Sequence, residues 1–248
     1  MNFIQMPNLP KSKVKRVIVD YRCNDKILDA LKRLDIIAYP SCNIKSLYPA
    51  VCGHPDMSIC HVGKNKFICE PTSYDYYKKT LTINGIELIK GCTCINGTYP
   101  YDIAYNIAYV SNVAFHKLSC TDRLITENLD NVNFVNVAQG YSKCNTAIIS
   151  DKAIITEDES IHCAALQSNI DSLLIKKGGI SLEGFEYGFI GGAVGLIDKD
   201  ILAITGNVEK HVDYAKIITF CEKYGVKLYC LTDGIPVDIG SIIPITYE

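Results

Sequence analysis

The chain has 248 residues, 48% of them hydrophobic, and its 25 basic and 27 acidic residues give a formal net charge of −2. This balance excludes the strongly basic surface on which nucleic-acid binding depends, so no nucleic acid is expected as a partner. No apolar run approaches the roughly 20 residues of a membrane-spanning helix, and no membrane partner is expected. The twelve cysteines follow no secretory signal and lie mostly in apolar runs. They predict reduced thiols in a cytoplasmic protein.

The first predicted elements are a strand, a helix and a second strand. VKRVIVDYR (14–22) has the apolar character of a strand, and IIAYP (36–40) is a second, shorter one. Between them NDKILDALKRLD (24–35) predicts an amphipathic helix with Asn24 as its N-cap. This stretch is a β-α-β unit that lacks a first strand.

The chain then repeats one pattern four times: two apolar strands joined by a tight turn, a helical stretch and a third strand. The hairpins occupy residues 54–70, 101–117, 141–158 and 188–207. Their turns recur about every 40 to 50 residues, a period typical of an array of supersecondary units. The predicted β-β-α-β units span approximately residues 50–91, 98–138, 140–177 and 185–232.

The C-terminal stretch can complete a fifth unit. GIPVDIGSIIPITYE (234–248) predicts a terminal strand, and its pairing with residues 14–22 would join 233–248 to 14–40. Five units closed in a ring leave no sheet edge exposed. We therefore predict an α/β (α+β) fold, a five-bladed ββαβ propeller closed by its N- and C-terminal strands. The propeller is predicted to be a single domain spanning residues 1–248.

A ring of five such units resembles the pentein, or guanidine-modifying-enzyme, superfamily, which includes arginine deiminases and amidinotransferases. In those enzymes the start of each first strand points into a central funnel. His54-Pro55-Asp56 is similar to the His-x-Asp motif of the arginine deiminases, and Ser142-Lys143-Cys144-Asn145-Thr146 is similar to the stretch around their nucleophilic cysteine. His54 and Cys144 lie two units apart, as the catalytic histidine and cysteine of those enzymes do.

The order of the units differs from that of the family. Its nucleophile normally lies in the C-terminal unit, where this chain carries Asp238 in GIPVDIG. Two alternatives remain open: the ring is permuted relative to the known enzymes, or the nucleophile has been lost.

The resemblance implies a thiolate that attacks the carbon of a guanidinium group in a small cationic substrate. Cys144 is the candidate nucleophile because it stands in a polar segment, and a small buried hydrophobe is its alternative role. His54 would donate a proton to the leaving amine and then activate water, and a turn histidine that caps the start of a strand is its alternative role. Asp56, two residues on, faces the same side of a strand as His54 and would hold the cation. By the same alternation, Lys143 would face away from the thiol.

Four further polar residues occupy the starts of other copies. Asp102 is the counterpart of His54 in the second copy, and Asp238 is the acidic residue of the fifth unit. Asn106 and Asn145 take equivalent places in the second and third copies. All four are candidate substrate-binding residues, and turn formation is the alternative role of the acidic ones.

No cofactor or metal is expected. The cysteines lack the paired C-x-x-C spacing of a structural zinc site. The glycines of GFIGGAVG (188–195) do not open a helix after a strand, as a dinucleotide fingerprint does, and close backbone packing is their predicted role. A hydrolase or transferase of guanidines is the first predicted function. The alternative is a non-catalytic pentein that binds a protein assembly, as the ribosome anti-association factor of that fold does.

Overall fold

Five small β-sheets make up the fold in a computed structural model that describes residues 2–248. Sixteen strands are present in these residues. They are β1 (Asn2–Phe3), β2 (Val14–Val19), β3 (Ile37–Pro40), β4 (Ile59–Gly63), β5 (Lys66–Cys69), β6 (Glu87–Lys90), β7 (Ala108–Val110), β8 (Val113–His116), β9 (Asn133–Asn136), β10 (Thr146–Ser150), β11 (Ala153–Thr156), β12 (Asp171–Leu174), β13 (Val194–Asp198), β14 (Ile201–Ile204), β15 (Lys227–Cys230) and β16 (Ile243–Tyr247).

Six α-helices and three 3₁₀-helices accompany the strands of residues 2–248. The α-helices are α1 (Asp25–Arg33), α2 (Pro55–Ser58), α3 (Tyr74–Thr80), α4 (Arg123–Asn128), α5 (Glu159–Gln167) and α6 (Tyr214–Lys223). The 3₁₀-helices are Leu118–Cys120, Gly191–Ala193 and Val208–Lys210. The predicted N-cap of α1 is confirmed, since the Asn24 side chain accepts a hydrogen bond from the Ile27 amide. None of these helices is long and apolar enough to cross a membrane.

The four repeated units have the predicted β-β-α-β order. In each, two antiparallel strands form the hairpin and a helix leads to a third strand that is parallel to the second. Two of the hairpin turns contain a residue in the left-handed backbone conformation that a two-residue connection requires. The φ angle is +54° at Lys64 and +57° at Ser111. We call these units the first copy (54–90), second copy (101–136), third copy (141–174) and fourth copy (188–230).

The chain ends form the fifth unit, as the sequence predicts. β16 pairs antiparallel with β2, which pairs in parallel with β3, and α1 connects β2 to β3. β1 adds to the free edge of β16. This pairing makes the two ends of the chain neighbours in one sheet.

The strands are layered from the centre outward. The first two strands of each copy are buried along almost their full length, whereas the third strands β6, β9 and β15 are partly or largely exposed. The first strands β7, β10, β13 and β16 contact one another in series. Apolar residues of neighbouring units share one core cluster, to which Ile155 of the third copy and Leu196 of the fourth both belong. This packing between units places the starts of the first strands near the centre.

Candidate functional site

The segments that precede the first strands interlock at the centre through backbone hydrogen bonds. The Asp56 amide donates to the Gly240 carbonyl, at 3.3 Å, and the Gly192 amide donates to the Cys144 carbonyl, at 2.8 Å. The Ser241 amide donates to the Gly192 carbonyl, also at 2.8 Å. Strand starts that are far apart in the sequence therefore become close neighbours.

His54 and Asp56 lie together at the start of the first copy, but not on a strand. His54 is the N-cap of α2, and Asp56 lies in the first turn of that helix behind Pro55. The expected strand alternation is therefore wrong here, and a helical turn places the two side chains near each other instead. Both residues are buried, at 2% exposure each. Within residues 2–248 neither ring nitrogen of His54 has a hydrogen-bond partner.

Cys144 reaches the same place from the third copy. Its thiol lies 3.1 Å from Asp56 Oδ2, to which it donates, and 3.1 Å from Asn106 Nδ2, which donates to the sulfur. Asn106 Oδ1 also accepts from the backbone amides of Lys143 and Cys144, at 2.8 and 3.2 Å. Asn106 thus holds both the backbone and the sulfur of Cys144, and its predicted substrate-binding role stays a prediction.

Lys143 turns toward the centre, contrary to the expected strand alternation. Residues 142–145 form a turn before β10, and in a turn successive side chains do not point to opposite faces. Lys143 Nζ donates to Ser241 Oγ at 2.8 Å, and Ser241 Oγ lies 2.9 Å from Asp56 Oδ2. Ser241 thereby links the Lys143 amine to the Asp56 carboxyl group.

Asp238 approaches His54 from the fifth unit. Asp238 Oδ1 lies 3.7 Å from His54 Nδ1, and the Phe189 and Gly240 amides donate to its two oxygens. Gly240 has φ +67°, and a Cβ at this position would lie 2.3 Å from that of His54. Only glycine permits this backbone and this contact together. Gly192 also confirms the predicted close packing, since a Cβ there would lie 1.9 Å from Asp238 Oδ1.

Asp20 is a buried carboxylate that the sequence analysis does not single out. It follows β2, and its Oδ2 lies 4.0 Å from His54 Nε2. Arg22 donates to both Asp20 oxygens from Nε and Nη2. The position at the end of a strand is the signal that could have identified it. His54 therefore lies between the carboxylates of Asp20 and Asp238, and the Asp20 carboxylate is paired with the guanidinium of Arg22.

Asp102 and Asn145 occupy positions in the repeat equivalent to those of His54 and Asn106, but their side chains form hydrogen bonds away from Cys144. Asp102 accepts a hydrogen bond from the Tyr141 hydroxyl. Asn145 Oδ1 accepts from Thr156 Oγ1, at 2.9 Å, and from the Glu157 amide, at 3.1 Å. Neither side chain lines the cavity described below. Their substrate-binding role stays a prediction, and the contacts are those of framework residues.

Burial governs the charges at the centre. It raises the pKa of the Cys144 thiol well above its ordinary value, and Asp56 and Asp238 raise it further. Burial also raises the pKa of Asp56 and raises that of Asp238 to about 6. It lowers the pKa of His54 and that of Lys143. Each group is thus shifted toward its neutral form, because a charge removed from water is unfavourable unless it is paired.

A cavity of about 550 Å³ opens onto this centre. His54, Cys144 and Asp238 line it together with a set of mainly apolar and aromatic side chains. Such a volume is ordinary for a small-molecule site. A thiol, an imidazole and a carboxylate thus lie together at one end of the cavity.

Three of these side chains also have the chemistry of metal ligands. One potential ligand atom from each of His54, Asp56 and Cys144 lies within 4.8 Å of the others. A nitrogen, an oxygen and a sulfur at such separations would suit a cation like Zn²⁺. The sequence prediction of no metal rests on C-x-x-C spacing alone, which does not cover this cluster, and it stays a prediction.

Solved structures identify the fold. SxtG, an amidinotransferase of Microseira wollei from the saxitoxin biosynthetic pathway, matches with a TM-score of 0.57 and 10% identity over 96% of each chain. The inosamine-phosphate amidinotransferase StrB1 of Streptomyces griseus matches with a TM-score of 0.55 and 10% identity, over 96% of this chain and 97% of that one. The agmatine deiminase of C. jejuni matches with a TM-score of 0.53 and 10% identity, over 92% and 91%.

These similarities confirm the five-bladed pentein α/β propeller that the sequence predicts, and at this level of identity they concern the fold alone. The chain belongs to the family described as a family of unknown function (DUF6873), whose model matches residues 18–243. No curated protein sequence matches the chain at a significant level.

Proposed function

We propose that this protein modifies the guanidino group of a small cationic compound, with Cys144 as the nucleophile. One observation carries the proposal: the thiol of the third copy and the imidazole of the first copy share one end of a cavity with buried carboxylates. The structural neighbours, two amidinotransferases and an agmatine deiminase, support the same class of chemistry.

The proton of the thiol has a defined acceptor. The Cys144 S–H points at Asp56 Oδ2, 3.1 Å away, and burial has raised the pKa of that carboxyl, which makes it a better base. His54, which has a ring nitrogen within 4.8 Å of Asp56 and Cys144, would receive this proton once substrate binding brings the groups into contact, and an imidazolium would then stand next to the cavity. The resulting thiolate attacks the guanidinium carbon, and His54 donates the proton to the leaving amine.

The second half of the reaction frees Cys144 from the covalent intermediate. The first half leaves a covalent thiouronium on Cys144 and a neutral His54. His54 can then take a proton from water, whose oxygen bonds to the thiouronium carbon. The carbon–sulfur bond breaks as the proton of the added hydroxyl passes to the sulfur, which gives the thiol and a urea-type product, and His54 releases its proton to solvent. An amine in place of water gives amidino transfer instead. Either acceptor uses the same thiol, imidazole and carboxylates.

The guanidinium cation is also what activates the thiol. Without it, Cys144 stays protonated because burial and two carboxylates oppose a negative charge. A cation bound against Asp238, which lines the cavity, would offset those carboxylates and favour the thiolate. The nucleophile is thus expected to form only when substrate is present, which protects it from oxidation between turnovers.

A second candidate function is binding without catalysis. Cys144 is only 3% exposed, its thiol is already hydrogen-bonded, and the fifth unit carries Asp238 where the family resemblance leads one to expect a cysteine. A pentein that binds a small cation, or assembles on a large partner such as the ribosome, would also retain a buried centre of this kind. Co-sedimentation with ribosomes would support that second function.

The test compares a cationic and a neutral alkylating reagent of the same shape. 2-Chloroacetamidine forms a thioether with loss of chloride and carries the amidinium charge, whereas 2-chloroacetamide lacks it. We expect the cationic reagent to modify Cys144 before the exposed Cys92, Cys94, Cys163 and Cys230, and the neutral reagent to modify those exposed cysteines first. Mass spectrometry of digested protein locates each modification.

Two controls complete the experiment. Cys144→Ser should remove the fast-reacting site and leave the exposed cysteines unchanged. A chelator in the reaction tests whether a metal on the His54, Asp56 and Cys144 cluster masks the thiol. Equal labelling of all accessible cysteines by both reagents, with or without chelator, would overturn the proposal and favour the binding function.

A further inference from the structure

The walls of the cavity differ sharply from its floor. Above His54, Cys144 and Asp238, five aromatic side chains face the space, and they are Tyr48, Tyr141, Phe185, Tyr187 and Phe189. Val51, Met57 and Leu182 add apolar surface between them. A guanidinium group bound at the floor would therefore place the rest of its molecule against rings and alkyl groups.

The charges around the cavity are of one sign. Among the described residues that line it, Asp238 and Glu186 are the acids and none is lysine or arginine. A carboxylate on the substrate's tail would find no cation on these walls. It would also face the two acids, so both its desolvation and the repulsion would weaken binding.

Two basic side chains close to the cavity are already engaged in hydrogen bonds. The guanidinium of Arg22 lies beside a neighbouring hollow, and it donates to Asp20 and to the Pro49 and Ala50 carbonyls. Lys143 donates to Ser241 Oγ below the floor. A substrate carboxylate could recruit either side chain only by breaking these contacts.

A third basic side chain, an exposed lysine, lies behind one wall. Lys177 Nζ lies 5.9 Å from the centroid of the Tyr187 ring, which is a cation–π distance, and the residue is not among those that line the cavity. Tyr187 therefore lines the cavity, whereas the ammonium group of Lys177 does not.

We propose that the substrate is a guanidino compound whose tail is apolar and carries no carboxylate, and not an α-amino acid or a guanidino acid. The proposal rests on the proposed function, because it assumes that the guanidinium lies at the floor beside Asp238. The aromatic walls select the tail by contact, and the absence of a free cation on them rejects an acidic tail.

The test uses two ligands of the same shape on full-length Cys144→Ser protein, which cannot turn them over. One is 4-guanidinobutanoate, and the other is 4-methylpentylguanidine, in which two methyl groups replace the carboxylate oxygens. Isothermal titration calorimetry gives the two dissociation constants. We expect the apolar guanidine to bind at least about tenfold more tightly, since an unpaired carboxylate in a largely apolar site is unfavourable.

A positive charge added to the cavity wall should reverse the effect, by favouring the ligand with the carboxylate. Phe185 is 55% exposed, so Phe185→Arg can be tolerated by the fold and puts a guanidinium at the cavity. We expect it to tighten binding of 4-guanidinobutanoate at least threefold and to weaken that of 4-methylpentylguanidine. Phe185→Leu, which changes the ring without adding charge, is the matched control and should leave the preference for the apolar ligand in place.

The outcomes separate this inference from the proposed function. If 4-guanidinobutanoate binds as tightly as the apolar ligand, or Phe185→Arg leaves the preference unchanged, the inference about the tail is wrong while a guanidine site remains. If neither ligand binds the Cys144→Ser protein at millimolar concentration, the proposed function itself is overturned.

Discussion

The first and third copies of the repeated unit bring reactive side chains to the centre, whereas the second and fourth copies support them. His54 and Asp56 come from the first copy and Cys144 from the third. The second copy supplies Asn106, which holds Cys144, and the fourth supplies Gly192, where a side chain would collide with Asp238. The backbone of the unit is common to all four.

The difference teaches that position in the repeat and role in the site are separate properties. Asn106 and Asn145 precede equivalent strands, yet Asn106 bonds across to the third copy while Asn145 bonds within its own. What decides the role is the neighbouring copy that each start faces. Copies that alternate around the ring can thus specialise without changing the fold.

The largest effect is expected from removing the charge of Asp56. Asp56→Asn should slow the modification of Cys144 by 2-chloroacetamidine by about two orders of magnitude, because the proton acceptor and one anionic partner of the cation are both lost. The same variant should slow 2-chloroacetamide much less, because that reagent has no charge to lose a partner for, and the lost neighbouring anion makes the thiolate easier to form. Rate constants from timed mass spectra give both values.

Asp102→Asn is the matched control for Asp56→Asn. Asp102 accepts a hydrogen bond from the Tyr141 hydroxyl and does not line the cavity. The rate at which Cys144 is labelled in Asp102→Asn should therefore stay within about threefold of that in the parent protein. Equal losses in the two variants, with thermal unfolding unchanged, would mean that the first and second copies do not differ in the way the contacts indicate.

The sequence predicts the places where the site could form. The recurring hairpins locate the starts of the strands, and the polar character of HPD and SKCN within apolar surroundings singles out two of them. The pairing of the chain ends follows from the incomplete unit at 14–40. These inferences work because periodicity and local polarity are properties of short stretches of chain.

The sequence does not predict the contacts between the starts. Ser241 meets Asp56, 185 residues away, and it does so with φ +77°, a backbone conformation that its neighbours impose. Lys143 was expected to face away from the thiol because a strand was assumed where the chain turns. The sequence does not single out Asp20, because only the folded ring brings the end of β2 to His54. Long-range packing and turn geometry decide these positions.

A smaller effect is expected from Asn106, through the pKa of the thiol. Its amide donates to Cys144 Sγ and so lowers a thiol pKa that burial and the carboxylates raise. Asn106→Ala removes the donor, and the pH profile of 2-chloroacetamidine labelling should move to higher pH by about one unit, with a rate about tenfold lower at neutral pH. The measurement is the labelling rate from pH 6 to pH 10.

Asn145→Ala tests whether that effect belongs to the second copy. Its amide oxygen serves Thr156 and Glu157, so this variant should lose stability and keep the parent pH profile. A profile shifted equally by both variants would show that the two asparagines act through general loosening of the centre.

The smallest effect is expected at Glu157, which links the third copy to the start of the fourth. Its Oε2 accepts from the Ile190 amide at 3.0 Å, its Oε1 has no partner within residues 2–248, and burial raises its pKa to about 8. Between the ordinary pKa of a glutamate and this value, the folded protein keeps a proton that the unfolded chain has lost. The free energy of unfolding should therefore fall as the pH rises from about 4.5 to 8, at up to ~1.4 kcal/mol per unit.

Glu157→Gln isolates this contribution, because glutamine keeps the acceptor for Ile190 and does not titrate. Urea unfolding at pH 5, 6, 7 and 8 should show a shallower fall for the variant than for the parent, and Asp238, with a pKa of about 6, should account for part of the slope in both. Glu87→Gln, on the exposed strand β6, is the control and should leave the slope unchanged. A variant slope equal to that of the parent would place the proton on another group and show that Glu157, between the third and fourth copies, does not titrate in this range.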